Sequence, residues 1–310
     1  MAGEKSLLVI LGPTSSGKTD LAIQIARRLN GEIIGADSRQ VYRQMDIGTA
    51  KPTPEQFATV PHHLFDIVDP DERLALATYQ RTAYEVIDAV HQRGRLPMLV
   101  GGTGQYITAV AEGWSIPEVP PDDTLRAELE TFAAEHGSPA LHERLAQLDP
   151  TAAAQIDHRN VRRVIRALEV CILTGQQMSE LQRKRPPPFR VITHGLTLER
   201  DLLYARADTR VDQMMQARFL DEVRALLDRG YDRKLPSMSG LGYAQLAAHI
   251  LDGAPLETAV TETKHATHDF IRRQYTWFRG HDSGILWHNI GQIDPAHIVD
   301  AVTRHYQELP

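Results

Sequence analysis

The 310 residues suffice for one large domain or two ordinary ones, each with its own core. Apolar residues at 42% and charged residues at 24% fit a globular enzyme, and the lone Cys171 excludes a disulfide framework or a cysteine zinc site and suits a reducing compartment. A net charge of −6 weighs against a partner held by overall charge, although partners respond to local fields.

The opening MAGEKSLLVI has no signal-peptide layout, and no apolar run reaches the ~18 residues of a membrane span, so a cytoplasmic location is expected with no membrane partner. KSLLVIL (5–11) is a short apolar run ending in a glycine-rich turn, which predicts a buried parallel strand. A helix follows over about Lys18–Leu29, with Leu21, Ile25 and Leu29 on one face. Glu32–Ala36 reads as a second strand, His63–Val68 as a third and Pro97–Val100 as a fourth, the last preceded by a helix over about 77–93. Strands alternating with helical periods predict an α/β fold, a parallel sheet flanked by helices.

The pattern changes at SIPEVPPDD, a proline-rich hinge, and stays helical from Thr124 to Thr174. LRAELETFAAEHG, ALHERLAQLD and VRRVIRALEVCILTG predict three helices. A second hinge, KRPPPF (184–189), leads back to the strand-like VITHGLTL (191–198). Residues 115–188 therefore read as an all-helical insertion domain, and 1–114 with 189–310 as the α/β domain that carries it. Long helices are expected at 208–229, 241–252 and 256–279.

Gly12-Pro13-Thr14-Ser15-Ser16-Gly17-Lys18-Thr19 satisfies G-x-x-x-x-G-K-[ST] between an apolar strand and an amphipathic helix. The glycines let the backbone wrap a phosphate, and amide N–H groups at a helix N-terminus point at its oxygens. Lys18 adds a point charge, and the Thr19 hydroxyl can ligand Mg²⁺, largely through water. The pattern predicts a di- or triphosphate held with magnesium, without saying which. Asp37 follows the second strand, at the sheet edge where ligands of open α/β sheets bind. A carboxylate there either serves chemistry or forms a turn. Ser38, Arg39 and Gln40 beside it are rich in donors, and glutamine reads adenine edges well. Arginines cluster at Arg159, Arg162, Arg163 and Arg166, around Arg183, Lys184, Arg185 and Arg190, and at Arg272, Arg273 and Arg279. Each cluster is by default a solvated face, and together they leave RNA open. Adjacent His62 and His63 face opposite ways on a strand, so no zinc site is assigned.

GPTSSGKT, ADSRQVYRQMDIGTAKP (36–52), HHLFDIVDP (62–70), VGGTGQY (100–106), RALEV (166–170) and RRQYTWFR (272–279) fall in the order and spacing of the tRNA dimethylallyltransferases. The chain resembles that family over nearly its whole length, in its shorter bacterial form. The resemblance implies transfer of a dimethylallyl group from dimethylallyl diphosphate to N6 of adenosine 37, beside the tRNA anticodon, with release of diphosphate. It implies that the loop at Gly12–Thr19 holds the diphosphate, although such loops are often read as ATP sites. Asp37 becomes the candidate general base, and Lys18, Thr103, Arg210 and Mg²⁺ at Thr19 the groups that stabilise the leaving oxygen. For the tRNA anticodon loop it marks Asp37, Ser38, Arg39, Gln40 and Thr103. It also marks Arg126, then Arg162, Arg163, Val164, Ile165 and Arg166, then Ser239, Gly240, Leu241, Gly242, Tyr243 and Ala244.

Several residues keep a plainer reading. Gly101 and Gly102 fit a structural turn, and Arg206 and Arg210 fit a solvated stripe paired with Asp208 and Asp212. Val164, Ile165 and Leu168 fit a core, as do Tyr275, Trp277 and Phe278. The chain departs from the family pattern at Arg39 (usually methionine), Gln105 (leucine), Arg218-Phe219 (Gly-Leu) and Arg272 (lysine). A P-loop kinase or ATPase would share the first motif, and an isopentenyltransferase for free AMP or ATP much of the site. Nothing resembles a dimer seam, so a monomer is expected.

Overall fold

The computed structural model describes residues 5–182, 184–281 and 284–308; Arg183, one of the clustered arginines, lies outside the described residues. The chain divides into two compact units, Met1–Ala111 with Pro188–Pro310, and Glu112–Pro187.

The first unit is built on six parallel strands in the order β3-β2-β4-β1-β5-β6. They are β1 (Ser6–Leu11), β2 (Gly31–Ala36), β3 (His62–His63), β4 (Leu96–Gly101), β5 (Arg190–Thr197) and β6 (Ile285–Asn289). Alternation along β1 sends Leu7, Val9 and Leu11 into one core and Leu8 and Ile10 into the other. A strand apolar on both faces must be covered on both, which is why these runs form the centre of a parallel sheet. Helices α1 (Lys18–Leu29) and α14 (Pro295–Gln307) supply residues to one core. Helices α3 (Leu76–Gln92), α4 (Gly104–Ala111), α11 (Phe219–Asp228), α12 (Tyr243–Asp252) and α13 (Leu256–Gly280) supply the other. Short α2 (Pro54–Thr59) leads into β3, and α10 (Arg200–Gln216) follows β5.

The second unit holds α5 (Asp123–His136), α6 (Ser138–Leu148), α7 (Pro150–Gln155), α8 (Val161–Thr174) and α9 (Met178–Leu181). Val164, Ile165 and Leu168 of α8 close a core with Leu129, Leu141 and Leu145. Asp122 caps α5, Asp149 caps α7 and Asn160 caps α8 through backbone N–H groups.

Three expectations need correction. The strand expected over His63–Val68 is the pair His62–His63, because Leu64 and Asp66 take left-handed φ values of 64° and 53°. The single helix expected over 208–229 is two, α10 and α11, broken at Arg218 with φ 73°. Glycine suits that conformation better than arginine by about 1 kcal/mol, which gives the Arg218 departure a physical meaning. Among the described residues the insertion expected over 115–188 holds five helices rather than three, α7 and α9 being short, and β6 and α14 were not expected at all. No described helix is long and apolar enough to cross a membrane.

Candidate functional site at the carboxyl rim of the sheet

The turn between β1 and α1 forms because Gly17 enters the helix at φ 75°, a left-handed value that a side chain resists. Within it Ser16 Oγ donates to Pro13 O at 2.8 Å, and Lys18 Nζ donates to the same carbonyl at 2.6 Å. Ser15 Oγ is buried with no partner. Burial lowers the Lys18 pKa to about 7, with Asp37 pulling it back up and Arg210 pushing it further down. Burial likewise lowers the pKa of Arg210. Three candidates far apart in sequence are thus electrically coupled.

They also share one cavity of about 660 Å³, open-solvent space included. Thr14, Lys18 and Thr19 line it from the β1–α1 side, Asp37 and Gln40 from the end of β2, and Arg210 from α10. Asp37 accepts a hydrogen bond from Arg39 N–H at 2.9 Å, which turns the chain as it leaves β2. His62 and Phe270 complete part of the wall. The His62 Nε2 is buried without a partner, while its Nδ1 faces Val60 O at 2.8 Å. Thr19 and Asp37 offer hard oxygen donors in a single cavity, a donor set that fits magnesium.

Other candidates are held in ways that the sequence did not suggest. Thr103 Oγ1 accepts Ser38 N–H at 2.9 Å, so this hydroxyl braces the turn behind Asp37. The Gln40 amide nitrogen donates to Thr49 O and Ala50 O, at 3.0 and 2.9 Å, leaving its oxygen as the open end. The Arg39 guanidinium reaches Pro236 O and Ser239 Oγ, tying the end of β2 to the segment Ser239–Ala244. In that segment Ser239 and Ala244 are exposed and Gly240 and Gly242 buried. Tyr243 is also buried, its hydroxyl donating to Glu222 Oε1 at 2.6 Å and its ring packed in the core. Of the stripe on α10, Arg206 is exposed and only Arg210 reaches the cavity, while Asp208 and Asp212 turn to His268 and Lys264.

In the helical unit the marked residues separate by burial. Arg162 and Arg163 are exposed on the first turn of α8. Val164 and Ile165 are buried, and their side chains belong to the core of the unit. Arg126 and Arg166 both hold fully buried Glu169, with Arg126 Nε and Nη2 at 2.8 Å from its two oxygens and Arg166 Nη1 at 2.6 Å. Asp122 N–H adds a further donor at 2.8 Å. Burial pushes the Glu169 carboxyl up, but the two guanidiniums and this N–H outweigh it and hold the group below its usual range. Phe278 joins the main core, with Trp277 packed against it and Tyr275 beside Ile271, so the three aromatics pack as expected of a core.

Reading the residues one by one missed Gln274, a cavity residue on α13 that is only 5% exposed. Its signal was a polar residue on the buried stripe Thr263, Thr267, Ile271, Phe278. Glu222 was missed as well. Its carboxylate accepts the N–H groups of Asp46, Ile47 and Gly48 at 2.8–3.1 Å, holding the loop that carries Thr49 and Ala50 to the cavity.

A parallel sheet with a cavity at its carboxyl rim, lined by a lysine-bearing turn, an arginine and a strand-end aspartate, defines the class: an α/β protein whose rim sets cationic side chains beside a carboxylate. A family model described as IPP transferase matches residues 40–281, and one described as isopentenyl transferase matches 5–66. The tRNA dimethylallyltransferase of Roseiflexus castenholzii is 57% identical over 273 residues, 88% of this chain and 89% of that protein. That of Chloroflexus aurantiacus is 52% identical, over 91% and 96% respectively. The solved tRNA isopentenylpyrophosphate transferase of Bacillus halodurans superposes with a TM-score of 0.74 at 41% identity, covering 98% of this chain and 96% of its own. The chain belongs to the IPP transferase family, the tRNA dimethylallyltransferases.

Proposed function

We propose that this protein transfers the dimethylallyl group of dimethylallyl diphosphate to the exocyclic amine of the adenosine beside the tRNA anticodon. The carrying observation is that Lys18, Thr19 and Arg210 line the same cavity as Asp37. Cationic groups for a leaving diphosphate and a carboxylate for an attacking amine thus meet in one space. A bond forms between the amine nitrogen and the allylic carbon, the bond from that carbon to the diphosphate oxygen breaks, and the amine proton passes to the Asp37 carboxylate. Adenine's amine is a weak nucleophile, so a positioned base contributes ~10²–10⁴-fold.

Lys18 and Arg210, with the N–H groups at the start of α1, stabilise charge on the departing oxygens. Thr19 would hold magnesium, largely through water, and the ion when bound would neutralise diphosphate charge. The buried, unpartnered Ser15 Oγ is a further donor within the same loop. Chemistry on a base requires drawing it out of its stack, and exposed Arg162 and Arg163 are suited to hold tRNA phosphates meanwhile.

The test supplies protein and Mg²⁺ with dimethylallyl diphosphate or ATP, and unmodified tRNA or AMP as acceptor, with products read by mass spectrometry. Prenylated adenosine in tRNA is the expected product. Prenylated AMP with untouched tRNA, or phosphoryl transfer from ATP, would overturn the reading.

A further inference from the structure

We propose that Gln274 is a positioning residue that sets the separation between the diphosphate cradle and Asp37; this rests on the function proposed above. Its amide is used at both ends. Oε1 accepts Thr14 N–H at 2.9 Å, and Nε2 donates to Gly102 O at 2.8 Å. Thr14 belongs to the lysine-bearing turn. Gly102 precedes Thr103, whose N–H donates to Ala36 O at 3.1 Å and whose hydroxyl holds Ser38 N–H. One unbroken chain of contacts therefore runs from the anion side to the turn that presents the carboxylate: Thr14, Gln274, Gly102, Thr103, Ser38, Asp37.

The surroundings leave the amide little freedom. A Cβ on Gly102 would stand 2.5 Å from Gln274 Nε2, and one on Gly104 2.2 Å from the Trp277 ring. Trp277 lies three residues on along α13, so both side chains share a face, and the Trp277 Nε1–H donates to Thr108 Oγ1 at 3.0 Å. The missing side chains in the GGTG turn are thus the space into which α13 docks. A glutamine there cannot be replaced by a neutral or charged neighbour without loss. Glutamate keeps an acceptor for Thr14 but sets a carboxylate against the Gly102 carbonyl, and methionine keeps the bulk but loses both hydrogen bonds.

Positioning differs from stability in what it predicts. If the two halves of the site lose registry, ionisation of the allylic diphosphate continues while the amine is misplaced, and water intervenes. The carbon–oxygen bond to diphosphate breaks with diphosphate as leaving group, the water oxygen bonds to the freed allylic carbon, and the water's proton goes to solvent. Misplacement by about 1 Å costs transfer ~10²-fold.

The experiment measures prenylated tRNA and dimethylallyl alcohol together, for wild type, Gln274→Met and Gln274→Glu, with thermal unfolding of each. For Gln274→Met we expect transfer kcat to fall ~10–100-fold with KM for tRNA little changed, and the alcohol-to-transfer ratio to rise at least ~5-fold. Gln274→Glu should be impaired at least as much. Should Gln274→Met transfer with the wild-type ratio and rate, the hydrogen bonds set nothing and the proposal is overturned. A parallel loss of rate and folded protein with no change in the ratio would overturn it too, leaving a packing role. Wild-type protein that prenylates no tRNA would instead sink the underlying function, an outcome distinct from either.

Discussion

Strand β2 carries a carboxylate near each end, and the two have opposite surroundings. Glu32, at the amino end, is 2% exposed and enclosed by Arg93, Arg95 and His63. Arg93 Nη2 and His63 Nε2 lie 2.6 Å from Oε2, while Arg93 Nε and Arg95 Nη1 lie 3.1 and 3.2 Å from Oε1. The Arg93 guanidinium, opposed by burial and helped by His63, holds its pKa down to about 2. Asp37, just past the carboxyl end, accepts a backbone N–H from Arg39 and otherwise faces the cavity beside Lys18 and Arg210. Glu32 has spent its lone pairs on the fold, whereas Asp37 keeps acceptor capacity for a ligand. In a parallel sheet all strands point their carboxyl ends at one rim, so open chemistry gathers there and closed ion pairs can fill the other end.

The sharpest way to break this comparison is to neutralise the open member. Asp37→Ala should lower transfer kcat by ~10²–10⁴-fold, about 3–5 kcal/mol of barrier, while unfolding temperature and tRNA affinity stay near wild type. Single-turnover measurement of prenylated adenosine decides it. Turnover within a few fold of wild type would remove Asp37 from the mechanism and leave it a turn former.

How much of this was legible in the sequence follows distance along the chain. β1, the turn and α1 were readable because an apolar run, two glycines and a four-residue period all lie within about 25 residues. Asp37 was readable as a strand end. What closes the site was not. The loop at Asp46–Gly48 is held by Glu222 from at least 174 residues away, and Gln274 spans 260 residues to reach Thr14. Polar pairings at such separation leave no period to detect. The same blindness affected Arg126 and Arg166. The pattern of arginines in a helical insertion gives no sign that Glu169 is buried between two of them. β6 escaped notice because Ile285–Asn289 is a half-buried edge strand without a continuous apolar run.

A smaller effect is expected from the closed member. Glu32→Gln should cost about 2 kcal/mol of stability, less than for a fully buried pair because Arg93 and Arg95 are half exposed. It should leave kcat unchanged. Since the folded pKa lies below the unfolded value of 4.5, Glu32 contributes its full stability above pH 4.5 and loses it as pH falls towards 2. Urea unfolding of the wild type and the variant should therefore differ at pH 7 and converge near pH 2. A constant difference across that window would show that packing, not charge, was lost.

The smallest effect tests whether burial alone, without an opposite charge, leaves a signature in pH. His194 on β5 is 1% exposed and has only histidines at its ring nitrogens, His288 Nε2 at 2.9 Å and His305 Nδ1 at 3.1 Å. Burial first, then the neighbouring His288 and His305, lower its pKa to about 3. The unfolded chain binds this proton near pH 6.5 while the folded chain does not, so the contribution is complete above pH 6.5 and declines as pH falls. Between pH 6.5 and 5 the loss should reach about 1–2 kcal/mol, a window in which Glu32 stays charged in the folded state and mostly charged in the unfolded one. His194→Gln should flatten the stability profile there, whatever it costs at pH 7. A slope between pH 6.5 and 5 that survives in the variant would assign the titration to other histidines and show that this enclosed trio does not govern the response to mild acid.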